Sequence, residues 1–164
     1  MKQKLSLKVF LKKSKIHGKG IYSNERIKKG EKVIEYVGEK ITKKEGEKKA
    51  EKQFEMSKSN SSQGAVYTFE LNRRYDIDGN ADYNLARFIN HSCNPNCTID
   101  IKNNQIWIKA KRNIEKGEEI SYNYGYDIEG YKDHKCKCGS SNCVGFILDE
   151  KEWKKLKKLE KVKK

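Results

Sequence analysis

Arg87-Phe88-Ile89-Asn90-His91-Ser92-Cys93-Asn94-Pro95-Asn96-Cys97 is the stretch on which the reading of this chain turns. It runs an apolar helical turn, Tyr83 to Ile89, straight into polar and sulfur-bearing groups, with Asp82 placed to cap the turn and Asn94-Pro95 to stop it. An Asn-His pair alone is usually a satisfied structural pair. Downstream, Glu119-Ile120-Ser121-Tyr122-Asn123-Tyr124-Gly125-Tyr126 sets tyrosines two residues apart, on one face if the strand stays extended. Such a face is more often core or a binding surface than a catalytic one. Further on, His134-Lys135-Cys136-Lys137-Cys138-Gly139-Ser140-Ser141-Asn142-Cys143 carries C-x-C-x4-C, with Gly139 letting the chain turn back on a metal. Three thiolates leave a tetrahedral zinc one ligand short, and Cys93, Cys97, His91 and His134 are the candidates for the fourth. Inert buried thiols or disulfides are the alternative, but an odd total of five cysteines and the tight spacing favour zinc.

Outward from these stretches the chain reads as β-rich. Residues 16–37 form two short strands around turns. The turn-then-strand sequence Ile27-Lys28-Lys29-Gly30-Glu31-Lys32-Val33 is nearly repeated by Ile114-Glu115-Lys116-Gly117-Glu118-Glu119-Ile120, which suggests two hairpin corners. Residues 97–102 and 105–110 alternate apolar and polar side chains around Asn103-Asn104, a hairpin whose turn tolerates positive φ. Residues 65–71 and 75–78 also read as strand. Thr42-Lys43-Lys44-Glu45 fits a capping box opening a polar, solvent-facing helix through about Met56, followed by a Ser/Asn-rich loop over 57–64. At the end Trp153, Leu156, Leu159 and Val162 recur every third residue, so only part of that basic helix can share a face. His17-Gly18-Lys19-Gly20 is by itself no more than a turn, and no P-loop or dinucleotide fingerprint accompanies it.

The 164 residues suffice for one domain with its own core. Lys and Arg number 37 against 23 Asp and Glu, a net charge of +14. Residues 65–149, which hold all the cysteines, are nearly neutral, and the excess lies in the flanks. A globular domain with basic flanks follows. The apolar run from Leu5 to Leu11 is broken by Lys8 and has no small-residue cleavage site, so neither a signal peptide nor a membrane span is expected.

Taken together and in order, His17–Gly20, Tyr67, Asn90–Cys93, Tyr122–Tyr124 and the cysteine cluster resemble the SET-domain protein lysine methyltransferases that carry a cysteine-rich post-SET segment. The resemblance covers residues 8–148. It implies an α+β fold, mostly β with short helices, of small curved sheets, in which the segment bearing Tyr122 and Tyr124 passes beneath the chain near Asn90 in a knot-like crossing. It divides the chain into a SET domain over 1–134 with a variable insertion at 39–64, a zinc-binding segment over 135–148 and a basic tail over 149–164. It implies an S-adenosylmethionine site made by Ile16, His17, Lys19, Gly20, Tyr67, Asn90 and His91, with Arg87 as a brace. It also selects Cys93 to join Cys136, Cys138 and Cys143 on a structural zinc, leaving Cys97 as a free thiol.

In the mechanism so implied, Tyr124 is the main catalytic tyrosine and Tyr67 a channel wall that also touches the cofactor. Tyr122 stands where the family has phenylalanine or tyrosine, and a tyrosine there points to mono- or dimethylation. The expected substrate is a lysine of a histone or histone-like basic protein. A +14 enzyme gains nothing by Coulomb attraction to a basic tail. One reading is that the basic flanks at 1–30 and 150–164 grip nucleic acid non-specifically while the neutral centre, with Asp127, Glu129 and Asp133 near its rim, receives the tail; the other is that the lysine excess is biased composition on a solvated surface. Localisation follows the source: nucleus or chromatin for a eukaryotic, viral or secreted-effector protein, and cytoplasm otherwise. The rivals are a catalytically silent SET-like module that binds nucleic acid or a partner, and an unrelated basic zinc-binding DNA protein.

Overall fold

The computed structural model describes residues 8–59 and 66–161. Residues 1–7 of the basic N-terminal flank, most of the loop expected over 57–64 and Val162 lie outside the described residues. The chain forms small sheets with short helices, the α+β architecture that the resemblance implies.

Strands β1 (Val9–Lys13) and β2 (Lys19–Ser23) pair antiparallel. β3 (Lys32–Tyr36), β8 (Cys97–Lys102) and β9 (Gln105–Ala110) form a second sheet in the order β3-β9-β8. Its hairpin turns on Asn103 and Asn104, both at positive φ (53° and 59°), as the primed turn expected there requires. β4 (Glu39–Thr42), β5 (Thr68–Glu70) and β6 (Tyr75–Asp78) make a third sheet with β6 central. The two-residue strands β7 (Asn90–His91) and β10 (Ser121–Tyr122) pair in parallel, which lays the tyrosine segment directly against the Asn-His turn. Ile21, Ile27, Ile34, Ile106, Ile108, Ile114 and Ile120 are each at most 2% exposed and pack together at the centre of these sheets.

Several local expectations change. The two matching turn-then-strand stretches are not corners of separate hairpins. Their isoleucines bond to one another, Ile27 N–H to Ile114 O and Ile114 N–H to Ile27 O, both at 2.9 Å, so the near repeat marks two turns that face each other. Helix α1 (Lys43–Ser59) runs past Met56 and is not solvent-facing all round. Lys43 Nζ reaches Asp76 Oδ1 at 2.6 Å and Lys49 Nζ reaches Asp78 Oδ2 at 2.7 Å, which ties the helix to β6 through ion pairs that no hydrophobic stripe announces. Its N-terminus does carry the expected capping box: Glu45 N–H donates to Thr42 Oγ1 and Thr42 N–H to Glu45 Oε2.

Asp82 caps nothing. The turn that follows is a single 3-10 turn, Leu85–Phe88, with Asn84 at its cap position, and Asp82 pairs instead with Arg87 at 2.9 Å. The strand expected over 65–71 is only Thr68–Glu70. Beyond β10 a second small core, Ile128, Tyr131, Leu148 and Leu156, seats helix α2 (Trp153–Lys161). Within α2 Leu156 is buried and Leu159 is exposed, the drifting register that a three-residue repeat predicts.

Candidate active site and metal centre

The 14–20 turn is held from inside. Ser14 Oγ accepts from Ile16 N–H (2.8 Å) and His17 N–H (3.2 Å), and Ser14 N–H closes on Gly18 O at 2.9 Å. Asn90, fixed by its pairing in β7, aims its side-chain amide at His17 O (3.2 Å) and Lys19 O (3.0 Å). The Asn-His pair is therefore structural in part: its Asn organises the backbone of a turn more than 70 residues earlier in the chain.

The phenols converge. Tyr124 lies 5.0 Å, ring centre to ring centre, from Tyr122 and 5.8 Å from Tyr126, although the strand ends at Tyr122 and Gly125 turns at φ 73°. Tyr124 O–H donates to Ile89 O at 2.9 Å, and Tyr124 N–H donates to His91 Nδ1 at 3.2 Å. Tyr67 joins from the other side of the chain. Its N–H donates to Gln53 Oε1 of α1 at 2.8 Å, and its carbonyl accepts from Gly79 N–H and from the Tyr36 hydroxyl at 2.6 Å. Burial pushes the phenols of Tyr122, Tyr124 and Tyr36 well above their ordinary range, so they remain protonated.

These groups surround a cavity of about 1250 Å³. Ile16, His17, Lys19, Tyr67, Asn90, His91 and Tyr124 line it, as do Arg87 and Tyr126. Two expected site residues do not. Gly20 is buried behind the turn, where a Cβ would overlap the carboxylate of Glu119. Tyr122, 8% exposed, stands behind Tyr124 and borders a smaller cavity of about 330 Å³. Asp133 lines the main cavity, but Asp127 and Glu129 do not, because Asp127 turns back to accept from Glu129 N–H at 3.0 Å.

Arg87 sits over the rings of Tyr67 (5.9 Å) and Phe88 (4.8 Å), which makes the brace concrete as cation–π packing. Sequence reasoning missed Tyr36 as the support behind Tyr67, and it weighed His134 only as a metal ligand and not as a wall of this cavity. Tyr36 was hidden inside an ordinary strand pattern. His134 packs between Phe54 of α1 (5.2 Å) and Tyr126 (4.9 Å), a contact between three distant segments that no local spacing encodes.

The cysteines meet as a unit. The Sγ atoms of Cys93, Cys136, Cys138 and Cys143 lie within 4.8 Å of one another, with Cys93 at 3.8 Å from Cys136 and 3.9 Å from Cys143. A tetrahedral zinc with Zn–S bonds of about 2.3 Å has S···S edges of ~3.8 Å, so this donor set fits that ion. The hairpin carrying the last three cysteines is closed by Cys136 N–H to Gly145 O and Ile147 N–H to His134 O, with Gly139 at φ 67° in its tip.

Burial raises the Cys93 thiol to about 11. At Cys138 burial acts in the same direction, but the Ser140 hydroxyl and backbone N–H groups outweigh it and bring the thiol down to about 6. His91 is buried and its pKa falls to about 4, so it is neutral at pH 7. Since Nδ1 accepts from Tyr124 N–H, its proton resides on Nε2, 3.6 Å from Cys93 Sγ, an outer-shell donor to the thiolate. Cys97 is not part of the cluster; it is 2% exposed and burial lifts its thiol to about 12.

Residues 18–125 match the SET domain family, and the chain belongs to it. It is 43% identical over 149 residues to histone-lysine N-methyltransferase trr of Drosophila melanogaster, a match covering 87% of this chain and 6% of that protein. It is 38% identical over 141 residues to the H3 lysine-4 specific histone-lysine N-methyltransferase of Aspergillus oryzae, covering 82% of this chain and 11% of the relative. The same identity and the same share of this chain hold for human histone-lysine N-methyltransferase 2D, of which 2% is covered. The chain thus spans a small fraction of each of these relatives. Among the described residues no helix is long and apolar enough to cross a membrane.

Proposed function

We propose that this chain is an S-adenosylmethionine-dependent protein-lysine N-methyltransferase that adds one or two methyl groups to a lysine of a histone or histone-like protein. The observation that carries the reading is the convergence of Tyr67, Tyr124 and Tyr126 on a cavity that the Asn90-held 16–19 turn also lines. The names of the relatives, one of them specific for H3 lysine 4, support a histone tail as substrate.

Bound S-adenosylmethionine supplies an electrophilic methyl on a sulfonium. The chain's own residues supply alignment and dryness. A lysine in water has a pKa of about 10.4, and withdrawal into a phenol-lined channel favours its neutral, nucleophilic form. Tyr122 and Tyr124 are not bases, because burial keeps their phenols protonated. Tyr124 O–H donates its hydrogen bond to Ile89 O, so the phenol oxygen is left as an acceptor that orients the N–H of an incoming amine. Tyr122, packed 5.0 Å behind it and outside the cavity, limits how far the Tyr124 ring can shift to admit added methyls. Cys93, Cys136, Cys138 and Cys143 would hold zinc, which clips the final segment, with Cys136, Lys137 and Ile147, onto the cavity wall.

Nucleic acid is the proposed co-partner. Lys154, Lys155, Lys157 and Lys158 of α2 are exposed, and Lys132, Lys135 and Lys137 are exposed at the cavity rim. Binding to duplex DNA should weaken steeply with added salt, and salt-independent binding overturns this part.

The decisive experiment is transfer of labelled methyl from S-adenosylmethionine to core histones, with Tyr124→Phe as control. Wild type is expected to label histones with mono- and dimethyl-lysine, and Tyr124→Phe to lose at least about 100-fold in turnover, the scale for removing one oriented polar group from a reacting centre. A wild-type protein that neither binds S-adenosylmethionine by calorimetry nor labels histones refutes the reading.

A further inference from the structure

Glu119 lies three residues before Tyr122, on the segment that carries the tyrosines, and its carboxylate gathers bonds from three other segments. Ser14 Oγ–H donates to Oε1 at 2.6 Å, Asn90 Nδ2 donates to the same oxygen at 3.1 Å, and Tyr22 O–H donates to Oε2 at 2.8 Å. Gly20 is packed so closely beneath this carboxylate that a Cβ there would overlap it. A serine hydroxyl has one proton and two lone pairs. Committing that proton to Glu119 leaves the lone pairs of Ser14 to be shared by Ile16 N–H, His17 N–H and Asn90 Nδ2 (3.0 Å), the first two being the amides that give the cavity-lining turn its shape.

We propose that Glu119 is a positioning residue for cofactor binding: its carboxylate fixes the Ser14 hydroxyl and the Asn90 amide, and through them the 16–19 backbone. The inference rests on the reading that this turn receives S-adenosylmethionine.

The test is calorimetric titration of S-adenosylmethionine into wild type, Glu119→Gln, Ser14→Ala and the double variant, with amide exchange at Ile16 and His17 read in parallel. Each single variant is expected to weaken binding about tenfold, and the double no more than the weaker-binding single, because both act through one network. Turnover at saturating cofactor should stay within about twofold, so the effect falls on KM and not on kcat. Tyr22→Phe, which leaves the Oε1 bonds intact, should change affinity by less than about threefold. Unchanged affinity in Glu119→Gln, or additive losses in the double variant, overturns the proposal. If wild type binds no S-adenosylmethionine, the cofactor reading falls, yet exchange still decides this one: faster exchange at Ile16 and His17 in Glu119→Gln upholds the network and unchanged exchange refutes it. Should Glu119→Gln fail to fold, Ser14→Ala carries the same comparison.

Discussion

Removing zinc from the cysteine cluster should release one part of the molecule and spare the rest. Cys93 and Cys136 are 43 residues apart, and a cross-link closing a loop of that length withholds about 4 kcal/mol of chain entropy from the open state. Without it the 134–148 hairpin keeps its backbone bonds at Cys136 and Ile147, and the small core of Ile128, Tyr131, Leu148 and Leu156. Local opening of this segment should therefore become about a thousand-fold more frequent, since each factor of ten corresponds to roughly 1.4 kcal/mol. The assay is hydrogen exchange with and without a strong chelator under reducing conditions, with metal content measured on the same sample. Amides of Cys136 and Ile147 report on the segment, and those of Asp100 and Trp107, a hydrogen-bonded pair of the β8–β9 hairpin, serve as reference. Protection should collapse at the first pair and hold at the second, with loss of methyl transfer. Demetallated protein that protects all four equally, or that still methylates, refutes the assignment of the metal as a structural clip.

Tyr122→Phe removes a hydroxyl from a side chain 8% exposed and 5.0 Å from the Tyr124 ring; mass spectrometry of the product should show a shift toward trimethyl-lysine, and an unchanged distribution contradicts the role given to Tyr122. Gly79→Ala would drive a methyl into the Tyr36 ring and disturb the Tyr36 hydroxyl bond to Tyr67 O, at a cost of about 1–3 kcal/mol that chemical denaturation can read, together with reduced turnover. The buried phenols of Tyr36, Tyr122 and Tyr124 titrate above their unfolded pKa of about 10, so their stabilisation is complete below pH ~10 and is lost as pH rises beyond it. Denaturation midpoints should fall from about pH 10 upward, less steeply in Tyr122→Phe than in wild type, and a flat alkaline profile would contradict the burial.

Much of this arrangement was legible where chemistry is local. The Asn103-Asn104 turn, the capping box at Thr42 and the spacing of Cys136, Cys138 and Cys143 each carry their geometry in a few adjacent residues. The fourth cysteine was not decidable by spacing, since Cys93, Cys97, His91 and His134 all remained open until the family resemblance, and then the fold, selected among them. What stayed hidden depends on tertiary contact. Lys43 and Lys49 look like solvated charges until Asp76 and Asp78 lie opposite them. Asp82 has the right side chain to cap a helix, but Arg87 engages it and the helix shrinks to one turn. The Ile27 and Ile114 turns betray a relation by their likeness, though not that they bond to each other.

The large cavity takes walls from residues 16–19, from α1, from Val66 and Tyr67, from 80–91, and from Tyr124 through Ile147. No contiguous fragment can therefore own it. A fragment that stops before the 134–148 hairpin lacks the wall made by His134 to Ile147 and cannot enclose the cavity. Two fragments divided after α1 should each lack part of the wall and rebuild the cavity only by reassembly.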